Sequence, residues 1–221
     1  GGAQVPLIKI YKNMMDFNNL KFVEEKFTGR RPDFVGKHKS FSVLIPLVRK
    51  EEKLYLLYEV RNPKLEMAPG EISFPGGAIE DGETPLAAAI RETMEELGIP
   101  EEDIKIIAKE GRLQTHSNIL IHCYLGVIEI DKLCINDDEV AEVFTVPIDF
   151  FMENEPDIEY VEVIPRPDEH FPYEKIHFPN GYKWAKGCNE IPIYNFEGRP
   201  IWGITARITH DFIRVMKGEK K

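Results

Sequence analysis

The stretch Gly77-Ala-Ile-Glu-Asp-Gly-Glu83-Thr-Pro-Leu-Ala-Ala-Ala-Ile-Arg91-Glu-Thr-Met-Glu-Glu-Leu-Gly98-Ile99 decides how the rest of the chain is read. Its second half predicts a helix. Thr84 suits the N-cap, Pro85 the first turn, and Gly98-Ile99-Pro100 the stop. Leu86, Ile90, Thr93 and Leu97 recur at helical spacing and form one stripe for a core. Glu92, Glu95 and Glu96 stand at i, i+3 and i+4, on a face read as well separated from that stripe. Three carboxylates so placed repel one another, and the C-terminal end of the macrodipole disfavours them further. Their plain reading is a solvated face. Their functional reading is a trap for a hard divalent cation with oxygen ligands, Mg²⁺ or Mn²⁺. Arg91 and Glu83 are placed to brace the preceding loop against the helix through a charge-assisted pair.

Working outward, Ser42–Val48 and Leu54–Arg61 read as strands joined by a charged turn, and residues 62–70, with two prolines, as a loop. A short strand Glu71–Phe74 runs into Pro75-Gly76-Gly77. A short helix is expected over Asp16–Lys26, on Phe17, Leu20, Phe22 and Val23. Beyond the central helix, Ile104–Ala108, Ile119–Ile130 and Glu142–Pro147 read as strands and Ile148–Met152 as a short helix. Residues 154–200 carry prolines at 156, 165, 167, 172, 179, 192 and 200, with aromatics between them. They read either as a substrate-facing excursion or as an irregular packed loop, and their aromatics argue against disorder. The amphipathic helix Ile201–Lys217 follows, with Ile204, Ile208, Phe212 and Val215 on one side.

A chain of 221 residues is long enough for one self-sufficient core, so no disulfide framework is needed. Its net charge of −10 excludes a broadly basic binder of nucleic-acid polymers, but not an anionic substrate, since a bound cation reverses the local field. Glu80, Asp81, Glu83, Glu92, Glu95 and Glu96 concentrate part of that acid in the quoted stretch. Cys123, Cys134 and Cys188 form no C-x-x-C pair and read as reduced thiols of a cytoplasmic protein, with Cys123 in the core. There is no apolar run long enough to span a membrane and no signal-peptide pattern at the start. Residues 1–15 read as a non-native leader or a disordered N-terminus, with Met14 or Met15 as the natural start. Residues 16–221 read as a single domain.

The spacing Gly77, five residues, Glu83, seven residues, Arg91-Glu92-Thr93, one residue, Glu95-Glu96, one residue, Gly98-Ile99 resembles the Nudix box, G-x5-E-x7-R-E-U-x-E-E-x-G-U, where U is a bulky aliphatic. Thr93, at the first U, is the single departure. The resemblance implies an α/β/α sandwich around a mixed sheet, with the box as a loop–helix–loop. It also implies hydrolysis of a nucleoside diphosphate linked to another moiety. By position, Glu92, Glu95 and Glu96 become metal ligands, with a carbonyl of Gly76 or Gly77 nearby. Gly77, Glu83, Arg91 and Gly98 become structural positions of the motif. The general base in this family comes from the box or from a later loop, so Glu92 and Glu95 on one side, and Glu139 and Glu142 on the other, are the catalytic candidates.

A narrower resemblance runs from Leu57 to Gly77. Arg61, Gly70 and Phe74-Pro75-Gly76-Gly77 match the coenzyme A pyrophosphatase signature, L-L-T-x-R-[SA]-x3-R-x3-G-x3-F-P-G-G, and Ile201–Arg207 also looks like that subfamily. Glu59 stands where the signature has Thr, Asn62 where it has Ser or Ala, and Glu66 where it has a second Arg. An acid at the last position cannot grip a substrate phosphate as Arg does. Arg61, Phe74 and His116 are the substrate-binding candidates. Tyr160, Phe171, Tyr173 and Phe178 are candidates for a wall against adenine or pantetheine. Coenzyme A or a derivative is the leading substrate. ADP-ribose, a nucleotide sugar, or a non-catalytic nucleotide-binding module are the alternatives. The partner class is a small-molecule nucleotide, without membrane attachment, and a homodimer is open.

Overall fold

The computed structural model describes residues 19–30, 35–130 and 133–219. The leader, its two methionines and the Asp16–Phe17 start of the first expected helix lie outside them. The described residues before His38 form a unit of their own. It holds α1 (Leu20–Phe27), which begins where Asn19 Oδ1 accepts from the Lys21 N–H at 3.0 Å.

The unit from His38 onward is built on a mixed sheet of β1 (Lys39–Lys50), β2 (Lys53–Arg61), β3 (Ile72–Ser73), β4 (Gly76–Ala78), β5 (Ile104–Gln114), β6 (Ile119–Ile128) and β7 (Val140–Pro147). The central order is β3-β2-β1-β6-β5, with β4 on β1 and β7 on the outer edge of β2. β1 and β6 are parallel, with Lys39 opposite Ile119 and Leu47 opposite Val127, and the other pairs are antiparallel. The box helix, α2 (Pro85–Leu97), lies inside the β1-to-β6 crossover. Downstream come α3 (Ile148–Glu153), β8 (Asp157–Val163), β9 (Gly187–Phe196), β10 (Arg199–Ile201) and α4 (Gly203–Met216).

Period-2 alternation sorts the strands between two cores. Leu44 and Val48 of β1, Leu57 of β2 and Tyr124 and Ile128 of β6 meet Ala89 and Leu97 of α2. Ile45, Leu47, Leu56, Tyr58, Ile121 and Cys123 meet Ala206, Ile208, Phe212 and Ile213 of α4 on the other face. This is the expected three-layer α/β/α arrangement. On the α4 face Tyr58 stacks on Phe74 with centroids 4.8 Å apart and shares a hydrogen bond with Thr209 at 2.9 Å. Thr209 and Thr205 are buried on α4, whereas Ile204 and Val215 are 40% and 54% exposed. The buried face of that helix is therefore Thr205, Ile208, Thr209 and Phe212, rotated from the expected Ile204-to-Val215 line.

Residues 154–200 are more regular than the proline texture predicts. β8, β9 and β10 form a three-stranded antiparallel sheet, with Pro192 opposite Ile158. The connection between β8 and β9 is held by its own rings. Phe171 meets Tyr173 and Trp184 edge-on at 4.9 and 5.4 Å, and Tyr182 meets Phe178 and Trp184 at 5.1 and 5.2 Å. Phe171, Tyr173 and Phe178 thus pack on their neighbours, and Tyr160 is exposed on β8. Three of the four candidates for a ligand wall therefore belong to a self-packed aromatic cluster, in which Phe178 is still 48% exposed.

Candidate metal and active site

The site is assembled where three segments meet the box helix: the β3–β4 turn, the C-terminal end of β2 and the chain that follows β6. α2 starts with Thr84 Oγ1 accepting from the Ala87 N–H at 3.2 Å, with Pro85 in its first turn. It ends at Gly98, whose φ of 62° is the left-handed C-terminal conformation. A side chain there would drive into the backbone of Cys134, so glycine is required for two reasons. The close approach has a purpose. The last carbonyls of the helix, which lack intrahelical donors, accept from the next segment: Leu97 from the Cys134 N–H and Glu96 from the Asn136 N–H, each at 3.0 Å. Asn136 then accepts from the Glu139 N–H, Asn62 donates its N–H to the Glu139 carbonyl at 2.7 Å, and its side chain donates to Asp137. The acidic loop is thereby docked on the C-terminal end of the box helix, and Glu139 reaches the box carboxylates electrostatically.

Arg91 braces the other end. Its Nε donates to Glu83 Oε1 at 3.0 Å, Nη2 to Glu83 Oε2 at 3.1 Å and to the Ala78 carbonyl at 3.2 Å, and Nη1 to Glu92 and Glu95 at 2.8 and 3.1 Å. Glu83 also accepts the Glu80 N–H at 3.0 Å. The Arg91 hydrogen bonds hold the Glu83 carboxyl below the usual range. The predicted brace is thus present, and it ties Gly77, Glu83 and Arg91 into one loop–helix unit. A Cβ on Gly77 would overlap the Glu92 carboxylate, so glycine there leaves room for that group.

The three box glutamates do not share one environment. The side chain of Glu95 is 55% exposed, while Glu96 is 2% exposed. At 100° per residue Glu96 stands only about 60° around the helix from Thr93, and Thr93 is fully buried, its hydroxyl donating back to the Ala89 carbonyl at 2.7 Å. The acidic face and the core stripe therefore merge at Glu96 rather than lying well apart. Glu96 Oε2 accepts the Gly76 N–H at 2.9 Å, and that bond is how the structure places Gly76 beside the carboxylate. Burial raises the Glu96 carboxyl far above the usual range, and Glu59, Glu92 and Glu139 push it the same way. Burial also raises Glu92, against the pull of Arg91.

Glu59 enters this group without having been singled out as a site residue from the sequence. It shares strand parity with Leu57, which faces α2, and it is 1% exposed. Ser73, its cross-strand partner, donates to Oε1 at 2.9 Å, while Oε2 has no hydrogen-bond partner among the described residues. Burial raises its carboxyl as well. The available signal was an acid inside a run of strand residues, at the one signature position where a hydroxyl is expected.

The remaining candidates fall outside this cluster. Glu142 is opposite Val60, and Val143 is opposite Glu59. Alternation therefore turns Glu142 away from Glu59 and toward Arg199, which holds it at 2.8 Å and keeps its carboxyl low. Phe74 is 3% exposed and stacked on Tyr58, so it packs the α4 core where a substrate contact was expected. His116 is exposed in the β5–β6 turn and meets the Asn189 side chain at 3.3 Å. Arg61 closes the 62–70 loop: its carbonyl accepts the Gly70 N–H, its N–H donates to Glu71, and its Nε reaches the Met67 carbonyl at 3.4 Å. Its charge also acts on Glu59. A cavity of about 490 Å³ lies on the α4 side, bordered by β5, β8, β9 and α4, with Arg112, Cys188 and Arg207 in its wall. It does not include the box carboxylates.

Among the described residues, no three His, Cys, Asp or Glu side chains already surround a common point. Arg91 pairs with Glu92 and Glu95, while Gly76 and Ser73 hold one oxygen each of Glu96 and Glu59. The donor set nevertheless fits a hard cation. It is all oxygen, partly buried, lacking a matching basic partner at Glu59 and Glu96, and it includes an orphaned carboxylate oxygen.

The family profile described as "NUDIX domain" matches residues 37–166. The chain is 34% identical over 145 residues to "Peroxisomal coenzyme A diphosphatase NUDT7" of Mus musculus, covering 65% of this chain and 60% of that protein. It is 36% identical over 115 residues to "Nudix hydrolase 3" of Caenorhabditis elegans, covering 50% and 48%. It is 34% identical over 113 residues to "Uncharacterized Nudix hydrolase NudL" of Escherichia fergusonii, covering 50% and 58%. The chain thus spans about half to three-fifths of the length of these curated relatives. Among solved structures, a MutT/nudix family protein from Enterococcus faecalis superposes with a TM-score of 0.50 at 17% identity, over 98% of this chain and 76% of that one.

Proposed function

This chain belongs to the Nudix family, and from that premise we propose that it is a metal-dependent pyrophosphohydrolase acting on a nucleoside diphosphate linked to another moiety, coenzyme A or a derivative foremost. The observation that carries the reading is the complete box, folded so that Glu92 and Glu96 lie beside a buried carboxylate with no matching cation. Glu92, Glu95 and Glu96 would hold Mg²⁺ or Mn²⁺. When bound, such an ion supplies charge against the non-bridging oxygens of the pyrophosphate and a lower pKa for coordinated water. Glu139, on the loop docked on α2, would be the base that takes the proton of the attacking water, a role supported by its electrostatic reach to the box, with Glu92 as the box alternative. Arg91 holds Glu92 and the loop in register, so the carboxylates are aligned before substrate arrives. Arg61 borders the site and offers a guanidinium to a substrate phosphate.

The coenzyme A assignment is supported by Arg61, Gly70 and the Phe74-to-Gly77 turn at signature spacing and by the name of the mouse relative. Glu66, in place of the second signature arginine, favours the other reading, an ADP-ribose or nucleotide-sugar pyrophosphatase. A cytoplasmic location is supported by three cysteines without disulfides. Among the described residues no helix is long and apolar enough to cross a membrane.

The test is a turnover screen with Mg²⁺ and with Mn²⁺ on coenzyme A, ADP-ribose, NADH, nucleoside triphosphates and dinucleoside polyphosphates. Release of 3′,5′-ADP and phosphopantetheine from coenzyme A is expected. Turnover of ADP-ribose alone selects the second reading, and a folded protein that turns over none of the panel overturns the enzymatic one.

A further inference from the structure

Glu59 is a buried acid that the fold does not need as an acid. It lies near the C-terminal end of β2, where its strand neighbour Leu57 is plain core. One hydroxyl, that of Ser73, satisfies one of its oxygens, and the other faces no donor. Removing a carboxylate from water with a single neutral hydrogen bond is costly. Among the described residues no ion pair offsets that cost: the guanidinium of Arg61 reaches the Met67 carbonyl, and its charge favours the Glu59 carboxylate without a direct contact. Besides Arg61, the charges that act on Glu59 are acidic, Glu139 from the docked loop and Glu92 from α2, and Glu59 acts in turn on Glu96. A threonine, which the signature has there, would fill the same strand position and could still bond Ser73. The placement is understandable if a cation shares the space.

Resting on the metal-dependent reading above, we infer that Glu59 is a further metal-holding carboxylate of this chain: its open Oε2, on the α2-facing side of β2, is an oxygen ligand for the divalent cation of the box. The centre then draws ligands from the sheet as well as from the helix, so the ion links β2 to α2 across the layer between them. Glu59 holds the ion; the proton of the attacking water goes to Glu139 or Glu92 as before.

The deciding experiment is a Mn²⁺ titration of the metal-free protein, followed by the electron paramagnetic resonance of free Mn²⁺, on wild type, E59Q, E59T and E96Q. Melting is recorded with and without Mn²⁺. E59Q and E59T are each expected to weaken Mn²⁺ binding by at least about tenfold. Both are also expected to melt above wild type in the absence of metal, because they remove a buried charge. If E59Q does not fold, E59T decides, since its hydroxyl can keep the Ser73 contact. Wild-type Mn²⁺ affinity in the Glu59 variants, alongside loss in E96Q, overturns the inference and leaves the proposed function standing. A wild-type protein that takes up no Mn²⁺ overturns both.

Discussion

The two faces of the central sheet are built on opposite terms. In the buried core of the α4 face the polar groups are neutral and paired: Tyr58 with Thr209, Thr205 with the Ile72 carbonyl, and Tyr194 with His210. Rings fill the rest, with Phe151 in the middle, fully buried and 5.0 Å from Tyr194. On the α2 face the apolar packing of Leu44, Leu57 and Leu97 gives way, toward Gly76, to Glu59 and Glu96. One face is packed with apolar and neutral groups, and the other carries buried acid, the place where the proposed function puts a cation. Substitutions on the two faces should therefore move stability in opposite directions.

Four experiments test this contrast, in descending order of effect. Phe151→Ala should remove about 4 kcal/mol of stability through the cavity it leaves, measured by urea unfolding, while activity per folded molecule stays near wild type. A large loss of activity in the folded fraction would show that the faces are not independent. Glu96→Gln should do the reverse. Its kcat/KM should fall at least about a hundredfold, or about 3 kcal/mol, and its metal-free form should melt above wild type. Full activity would remove Glu96 from the metal site.

The third experiment concerns pH. The folded-state values of Glu59 and Glu96 are raised above the ordinary 4.5, so the native state binds protons that the unfolded chain releases. The stability these two groups contribute to the metal-free protein is therefore fully present at and below the ordinary carboxylate range and is lost as pH climbs through the raised values, whereas Glu83 and Glu142, held low, act in the opposite sense. E59Q/E96Q should flatten that slope in urea titrations at several pH values, and Mn²⁺ should oppose it. An unchanged slope in the double variant would assign the effect to other groups. The fourth, Tyr58→Phe, should cost about 1 kcal/mol, since Thr209 keeps its bond to the Thr205 carbonyl.

The contrast also explains what was legible beforehand. The bounds of α2 followed from local chemistry: a cap at Thr84, Pro85 after it and Gly98 at the end agree with the observed helix. The Arg91–Glu83 brace was legible because both partners lie within one short segment. Burial of Glu96 was not, because Gly76 and the loop around Asn136, both distant in sequence, enclose it. Helical spacing alone groups Glu96 with exposed Glu95. Glu142 was misplaced for want of register, since one step along β7 decides which face a side chain meets. β8 and β9 were hidden because Pro192 and the surrounding prolines outweighed the alternation of Asp157–Val163, whose side chains are mostly exposed and carry little core signal. Glu59 was visible only as a departure from a pattern.

The parallel pairing of β1 with β6 has a consequence in time. It joins residues 80 apart in sequence, as in the Ser42 contact with the His122 carbonyl, and α2 lies wholly within the loop so closed. Helical turns form in about a microsecond or less, whereas distant parallel strands must first meet the entropy of loop closure. The hypothesis is that α2 turns early with its carboxylates still hydrated, and that they lose water only when β1 finds β6, in the last ascent to the native state. Val43→Ala, at the register point opposite Cys123, should then slow refolding more than it speeds unfolding in stopped-flow chevrons. The opposite partition would mean that this pairing forms after the barrier. On this account the carboxylates that assemble the site are buried by the slowest contact in the chain.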